Sequence, residues 1–297
     1  MVANSADGRA DELPWQRVYF AHDGLQGADV KSTAISIPAG FDGLSATGIM
    51  QLDLGSYRTV VYGKPYEALS ARSQKAANAS GETFAGYKTK AATFSGTIAG
   101  CRFAGADLPI LQDFGDEPEK GQLAEFGTVG ADFFENRILV MDFVEGRIAV
   151  LDGDAQLPAS LVARARFGPL TYKRGLIYVN LKLNGRDAEY LYDTGSDSFP
   201  LLTSRRGWQS LTGLKGDESG LTRWLGMSWG KQHEFLGAPL KGDMCLEQDC
   251  MSHPLVFFDS SVDNERRFKG LFGDAFFQDH YIVIVDVARR RIGLLRQ

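Results

Sequence analysis

Two short segments, centred 140 residues apart, each place one aspartate directly before a glycine-bent turn. Asp53 lies in Met-Gln-Leu-Asp-Leu-Gly-Ser (residues 50–56), and Asp193 lies in Tyr-Leu-Tyr-Asp-Thr-Gly-Ser (residues 190–196). Glycine lets backbone N–H groups approach each carboxylate, and the neighbouring hydroxyls can also donate to it. Taken alone, each pattern is equally typical of a surface turn. Brought together, two carboxylates share one proton, so one acts as a base while the other acts as an acid.

The stretches before both aspartates predict β-hairpins. Residues 177–183 alternate apolar and polar side chains, and Asn184-Gly185 follows at once. Asn-Gly between two alternating runs is a strong hairpin signal because both turn residues must accept positive φ. The second strand of this hairpin should therefore end at Asp193. Residues 33–38 and 46–52 predict the corresponding hairpin before Asp53.

Each aspartate segment has a matching partner further along the chain. Residues 127–134 read Gly-Thr-Val-Gly-Ala-Asp-Phe-Phe, and residues 270–277 read Gly-Leu-Phe-Gly-Asp-Ala-Phe-Phe. From Asp53 to Gly130 the spacing is 77 residues, and from Asp193 to Gly273 it is 80. A repeat near half the chain length predicts two similar lobes. A two-fold arrangement of such lobes would bring Asp53 and Asp193 together at its axis.

The 297-residue chain is long enough for two domains of about 140 residues, each with its own core. We expect a flexible tail over residues 1–14, a lobe carrying Asp53 over 15–155, and a lobe carrying Asp193 over 156–297. The boundary should fall within residues 152–160, which hold turn formers and a proline. Abundant glycine, 11% aromatic residues and scarce helical periodicity predict an all-β fold.

Several classes of function are disfavoured by composition. A net charge of −5 argues against nucleic-acid binding, which needs a concentrated basic face. No apolar run reaches the 18 or more residues of a membrane span. The four histidines show no metal-binding spacing, and neither a Gly-x-Ser-x-Gly elbow nor a phosphate-binding loop is present. We therefore expect no metal and no cofactor.

The cysteines bear on the cellular compartment. Cys245 and Cys250 bound a short loop and could form a disulfide in an oxidising compartment, or remain two free thiols. A disulfide would favour a periplasmic or secreted protein, and free thiols a cytoplasmic one. Cys101 lies in a predicted strand and should be a buried, small apolar residue.

This pair of motifs resembles the pepsin-like aspartic peptidases, and each half also resembles a single retropepsin-type subunit. The resemblance is carried by the two Asp-x-Gly-Ser loops and by the segments Thr128-Val129-Gly130 and Leu271-Phe272-Gly273. It implies two β-barrel-like lobes related by pseudo-two-fold symmetry, in one monomeric chain. The implied activity is hydrolysis of peptide bonds in a peptide or unfolded protein by a water held between two catalytic aspartates, Asp53 and Asp193. The residues implied to support the catalytic loops are Gly55, Ser56, Thr194, Gly195 and Ser196.

In that family a β-hairpin, the flap, covers the cleft, and residues 82–90 stand where it would lie. Tyr87 is then the candidate flap aromatic; the alternative is an ordinary tyrosine on a strand surface. Trp224 and Trp229 could pack in a core or line a specificity pocket, and the sequence favours the core.

Leu54 departs from the family pattern, which has Thr or Ser at that position. The family residue donates its hydroxyl across to the opposite loop, a bond that Leu54 cannot make. Two hypotheses follow: a working aspartic endopeptidase, or a catalytically weak or inactive relative that binds peptides without turnover. Between them, the separation of the two aspartate carboxyls is the discriminating observation.

Overall fold

The computed structural model describes residues 13–21, 25–26, 32–70, 78–261, 269–278 and 280–297. Residues 1–12 of the expected tail lie outside this part of the chain. The described residues are mostly β-strand, with three short α-helices and three single-turn 3₁₀ segments, so the all-β prediction is confirmed at that level. No α-helix of the described residues is both long and apolar enough to cross a lipid bilayer.

Strands of the first half of the chain alternate with tight turns and one helix. They are β1 (Gln16–Arg17), β2 (Tyr19–Ala21), β3 (Leu25–Gln26), β4 (Ala34–Phe41), β5 (Thr47–Leu52), β6 (Val60–Tyr62), β7 (Asn78–Phe84), β8 (Tyr87–Ile98), β9 (Cys101–Leu111), β10 (Ala124–Val129), β11 (Arg137–Asp142) and β12 (Arg147–Asp152). Helix α1 (Gly63–Leu69) follows β6, and a 3₁₀ turn (Ala131–Phe134) follows β10.

The second half begins with helix α2 (Ala159–Arg164) and contains α3 (Arg205–Thr212). Its strands are β13 (Arg166–Lys173), β14 (Leu176–Leu183), β15 (Arg186–Tyr192), β16 (Leu201–Thr203), β17 (Thr222–Ser228), β18 (Lys231–Pro239), β19 (Asp243–Leu246), β20 (Asp249–Ser252), β21 (Leu255–Asp259), β22 (Gly270–Phe272), β23 (Tyr281–Asp286) and β24 (Arg291–Arg296). Further 3₁₀ turns span Thr194–Ser196 and Asp274–Phe276.

The first sheet has eight strands in the order β2-β4-β5-β10-β6-β9-β8-β7. Strand β4 also pairs with β8, for example through Ala39 and Ile98, so six of the strands close into a barrel. Closure removes the unpaired edges that an open sheet would expose. The barrel holds one part of the hydrophobic core, including Ile37, Met50 and Phe126.

The second sheet contains sixteen strands and joins both halves of the chain. Within it, β11 of the first half pairs antiparallel with β23 of the second, from Ile138 opposite Asp286 to Asp142 opposite Ile282. Both strands are buried on both faces: Ile138 and Ile284 belong to one apolar cluster, whereas Leu139 and Val283 belong to the main core. Continuous apolar runs are the expected pattern for such doubly covered strands.

The same local arrangement recurs around each aspartate. Strand β5 leads to Asp53 and pairs in parallel with β10, and β15 leads to Asp193 and pairs in parallel with β22. Each of β10 and β22 also pairs antiparallel with the strand after the aspartate loop, β6 or β16. Next come a helix and a hairpin in both halves, β7–β8 in the first and β17–β18 in the second.

Candidate active site

The first aspartate loop is held from behind by strand β10. The backbone N–H of Asp53 donates to the carbonyl oxygen of Val129 at 3.0 Å, and the N–H of Ala131 donates to Ser56 at 2.9 Å. The Ser56 N–H donates to Oδ1 of Asp53 at 3.0 Å. Its hydroxyl, however, turns away from the carboxylate and donates to the carbonyl oxygen of Arg58 at 2.8 Å.

The carboxylate of the second loop accepts hydrogen bonds from a backbone N–H and from a hydroxyl. The backbone N–H of Asp193 donates to Phe272 at 2.9 Å, which matches the bond from Asp53 to Val129. Oδ1 of Asp193 accepts from the N–H of Gly195 at 2.8 Å, and Oδ2 accepts from the hydroxyl of Ser196 at 2.9 Å. The two loops therefore differ in their serine: the Ser196 hydroxyl reaches its aspartate, whereas the Ser56 hydroxyl does not.

The two loops face each other closely enough that each requires glycine. A Cβ placed on Gly55 would overlap Cγ of Asp193. A Cβ on Gly195 would lie 2.8 Å from Cγ of Asp53. Each aspartate therefore sits against the glycine of the opposite loop, and any side chain at either glycine would push the carboxyls apart. The structure thus brings Asp53, Gly55, Asp193 and Gly195 together.

The two carboxyls interact directly. Burial raises the pKa of Asp53 well above its ordinary value, and the charge of Asp193 together with a hydrogen bond to it raises this pKa further. Backbone hydrogen bonds from Ser56 and Gly55 oppose the shift only in part. Because like charges so close cannot both ionise at low cost, one proton is shared and rests mainly on Asp53. The site can therefore supply a neutral acid and an ionised base at the same time.

Thr194 joins the two loops. Its hydroxyl donates to the carbonyl oxygen of Leu52 and accepts from the N–H of Leu54, both at 2.9 Å. All three residues are fully buried. The first loop has Leu54 at the matching position, so its side chain returns no hydrogen bond. Leu54 instead joins the main apolar cluster, which also contains Phe272.

Glycine is also required in the segments behind the loops. A Cβ on Gly130 would lie 2.5 Å from the carbonyl carbon of Arg58, and one on Gly273 would overlap the carbonyl oxygen of Ser196. The carboxylate of Asp132, beside Gly130, accepts from the N–H and the hydroxyl of Thr59, both at 2.7 Å. These contacts fix the backbone that supports each aspartate.

A cleft of about 890 Å³ opens above both aspartates. Its walls come from both halves of the chain. Lining residues of the first half include Gln51, Tyr57, Tyr62, Phe84, Phe114 and Glu125, and those of the second include Ser198, Phe199, Met227, Trp229, His233 and Asp259. The mixture of aromatic walls and a few polar groups is typical of a ligand-binding cleft.

Tyr87 lies at the tip of the β7–β8 hairpin, after the turn residues Ala85 and Gly86, which both have positive φ. Its hydroxyl donates to the carbonyl oxygen of Trp229 at 3.1 Å. Trp229 is a turn residue of the β17–β18 hairpin, and its ring also packs edge-on against Phe84. The tips of two hairpins, one from each half of the chain, therefore meet over the cleft.

The two tryptophans have different environments. Trp224 is buried and stacks on Phe257, as expected for a core residue. Trp229 is half-buried: it packs against the apolar cluster that contains Tyr62 and Phe84, and it also lines the cleft. Its positive φ of 48° in a hairpin turn, followed by Gly230, exposes the ring to the opposite hairpin.

The structure also places a His–Asp pair on the cleft wall that the sequence did not reveal. Nδ1 of His233 hydrogen-bonds to Oδ2 of Asp259 at 2.6 Å, and Oδ1 of Asp259 accepts from the N–H of Ser261. The imidazole ring stacks nearly parallel to Phe235. Twenty-six residues separate His233 from Asp259, so no local motif could have linked them.

Outside the cleft, Cys245 and Cys250 form a disulfide between directly paired residues of β19 and β20. Cys101 is a free thiol and is only half-buried, because it begins a strand directly after the turn at Ala99 and Gly100.

Among the described residues, no group of three or more His, Cys, Asp or Glu side chains is arranged to hold a metal ion.

No protein-family model matches the chain, and no curated protein sequence matches it.

Proposed function

We propose that this protein is an aspartic endopeptidase of the pepsin-like, retropepsin-related type. The observation that carries the proposal is the contact of each aspartate with the glycine of the opposite loop, which leaves one proton between the two carboxyls. Two further features support it: parallel strands behind both loops, and hairpins from both halves over the cleft. We propose the corresponding pseudo-two-fold arrangement of two lobes, in one monomeric chain.

In the proposed reaction, a water molecule is held between the two carboxyls. Ionised Asp193 removes a proton from this water as its oxygen attacks the peptide carbonyl carbon, while neutral Asp53 gives its proton to the carbonyl oxygen. The resulting tetrahedral diol then collapses. The C–N bond breaks as the leaving nitrogen takes the proton from Asp193, and one diol hydroxyl returns its proton to Asp53.

The assignment of roles follows from the hydrogen bonds. Gly195 and Ser196 donate to both oxygens of Asp193 and so favour its anion, whereas the pKa of Asp53 is raised by burial and by the neighbouring charge. A neutral Asp53 and an ionised Asp193 coexist only over the pH range between the two proton losses of the pair. We expect activity in acidic solution, where one proton remains on the pair.

The substrate of the proposed peptidase is an extended peptide or an unfolded protein segment. A cleft of about 890 Å³ under two hairpins admits a single extended chain but not a folded surface. Its aromatic walls, including Phe114 and Trp229, would take apolar side chains. Because Cys245 and Cys250 form a disulfide, we propose a periplasmic or secreted location for the protein.

A second candidate function is peptide binding without turnover. Leu54 favours it, because the first loop lacks the hydroxyl that would hold the opposite loop in return. Direct contact between the two carboxyls favours the enzyme instead, since a binding cleft does not require it. A measurement of peptide cleavage distinguishes the two candidates, because a binding protein would retain a peptide without cleaving it.

The test is cleavage of an unfolded protein at acidic pH by the purified chain. We expect cleavage that a statine-type inhibitor blocks and that falls by a factor of at least about 10³ in Asp53→Asn and Asp193→Asn. Asp154→Asn, which changes an exposed turn, is the matched control and should keep full activity. Full activity in Asp193→Asn would overturn the proposal. Tight binding of the inhibitor without any cleavage would support the second candidate.

A further inference from the structure

A buried carboxyl that the proposed reaction does not use lies directly behind the second loop. Asp274 follows Gly273 and is 0% exposed. Its Oδ1 accepts a hydrogen bond from the hydroxyl of Tyr192 at 2.7 Å. Oδ2 has no hydrogen-bond partner among the residues that the structure describes. An ionised carboxylate with an unsatisfied oxygen is costly in such a position, whereas a neutral acid is much less so.

Three titratable groups face Asp274: the phenol of Tyr192 and the carboxyls of Asp197 and Asp193. The two carboxyls make its ionisation still less favourable. Burial is the main cause that raises the pKa of Asp274, and the charge of Asp197 adds to it; the Tyr192 hydrogen bond opposes the shift. Asp197 is itself fully buried and accepts from Nε2 of Gln278 at 2.8 Å.

Tyr192 connects this buried acid to the candidate active site. It is the last residue of β15 and comes directly before Asp193. Burial raises the pKa of Tyr192 as well, and the nearby carboxyl of Asp274 raises it further, so the phenol stays neutral and keeps its proton to donate. The hydrogen bond therefore holds the end of the strand that carries Asp193 against the segment behind it.

The first half of the chain has no such acid at the matching positions. Leu52 precedes Asp53, and Ala131 follows Gly130, so both positions are apolar. Asp132, the next residue, has a different role, because its carboxylate accepts hydrogen bonds from the N–H and the hydroxyl of Thr59. The buried acid thus supports only the loop that holds Asp193.

We propose that Asp274 is a positioning residue that holds Tyr192 and thereby Asp193, and that its ionisation in less acidic solution loosens this loop, because the buried charge then repels Asp197 and Asp193. Its stabilisation is fully present below the ordinary pKa of an aspartate. It is lost as the pH rises through the higher pKa that the carboxyl has in the folded protein. The pH above which the site loses its ordered form therefore depends on Asp274, behind the cleft, as well as on Asp53 and Asp193 within it. Only the activity measurement below depends on the proposed peptidase function.

The experiment compares wild type with Asp274→Asn, which keeps the size of the side chain and an oxygen for Tyr192 but cannot ionise. Urea unfolding midpoints are measured between about pH 4 and about pH 8, together with cleavage of an unfolded protein. We expect the wild-type midpoint to fall with rising pH and the variant midpoint to fall less steeply. The ratio of the cleavage rate at about pH 7 to that at about pH 4 should rise about tenfold in the variant.

Asp286→Asn is the matched control, because Asp286 is also fully buried but lies between Arg289 and Arg291. Replacing this carboxylate removes its ion pairs with both arginines, so the midpoint should fall without the change of slope expected for Asp274→Asn. A slope change of the same size in Asp286→Asn would attribute the effect to general destabilisation and overturn the role of Asp274.

Parallel midpoint curves for wild type and Asp274→Asn would likewise overturn the inference. If Asp274→Asn does not fold, carbon NMR of aspartate-labelled wild type replaces it. The same spectra are recorded for Asp53→Asn, which removes the other aspartate with a raised pKa. One aspartate carboxyl should then stay protonated above the pH at which ordinary aspartates have ionised; ionisation of every aspartate carboxyl in the ordinary range contradicts the inference. Absence of cleavage in every variant would reject the proposed peptidase, while the midpoint curves would still decide the role of Asp274.

Discussion

The hydroxyl of Thr194 makes two hydrogen bonds to the opposite loop: it accepts from the N–H of Leu54 and donates to the carbonyl oxygen of Leu52. The side chain of Leu54, at the matching position, makes no such bond in the other direction. The first prediction concerns this one-sided connection. Thr194→Val has nearly the same shape but leaves the N–H of Leu54 and the carbonyl oxygen of Leu52 buried without partners. We expect the free energy of unfolding to fall by about 1 to 3 kcal/mol, as measured by urea denaturation. Thr194→Ser keeps the hydroxyl and should lose less; equal losses would show that the hydrogen bonds contribute little.

The second prediction concerns the pH dependence of stability at Asp53. Its pKa is raised in the folded protein, mainly by burial and then by Asp193. The stability that Asp53 contributes is therefore fully present below the ordinary aspartate pKa and is lost as the pH rises through the folded value. Asp53→Asn cannot ionise and should unfold at a higher urea concentration than wild type at pH 7, although the proposed function predicts that it is inactive. A lower midpoint for Asp53→Asn at pH 7 would contradict the shared proton.

Much of the site was predictable because its signals are local and occur twice. The hairpin turn at Asn184-Gly185 sets the end of β15, and the structure ends that strand at Tyr192, one residue before Asp193. The two Gly-containing segments were recognisable because Gly130 and Gly273 have no room for a Cβ. Local sequence therefore carries the information for each loop and for the segment behind it.

Other features depend on contacts between distant residues and could not be predicted in the same way. Residues 57–62 suggest a strand ended by Gly63-Lys64-Pro65, yet the strand is Val60–Tyr62 and a helix begins at Gly63. Pro65 is tolerated there because it lies in the first helical turn, where its missing N–H has no partner to lose. The His233–Asp259 and Tyr87–Trp229 contacts arise only from the register of paired strands and the meeting of two hairpins.

The third prediction tests the contact between the hairpin tips. Tyr87→Phe removes the hydrogen bond to Trp229 but keeps the edge-on contact of the ring with Phe114. We expect a loss of no more than about 1 kcal/mol in the free energy of unfolding. Hydrogen exchange at the amides of residues 82–90 should become faster, because the hairpin tip is no longer tied across the cleft. Tyr19→Phe, at an exposed position, is the control and should leave exchange in that hairpin unchanged.

The fourth prediction concerns the Cys245–Cys250 disulfide, which closes a loop with a sequence separation of five residues. A loop this short gains only about 2 kcal/mol from the constraint on the unfolded chain. A reducing agent should therefore lower the urea midpoint of wild type by a corresponding amount. It should leave the midpoint of the double variant Cys245→Ser/Cys250→Ser unchanged. An equal effect of the reductant on both proteins would mean that the bond contributes no stability.

The last prediction returns to Leu54, which is 0% exposed and belongs to the main apolar cluster. Leu54→Thr removes buried apolar atoms and should lower the free energy of unfolding by about 1 to 3 kcal/mol. It also restores a hydroxyl that can hold the opposite loop, so we expect the cleavage rate per folded molecule to rise. Leu54→Val is the matched control, because it shortens the side chain in nearly the same shape as Thr but adds no hydroxyl. A rate increase in Leu54→Thr alone would assign the gain to the new hydrogen bond. Equal rates in both variants, with equal losses of stability, would mean that Leu54 is a packing residue whose missing hydroxyl does not limit the reaction.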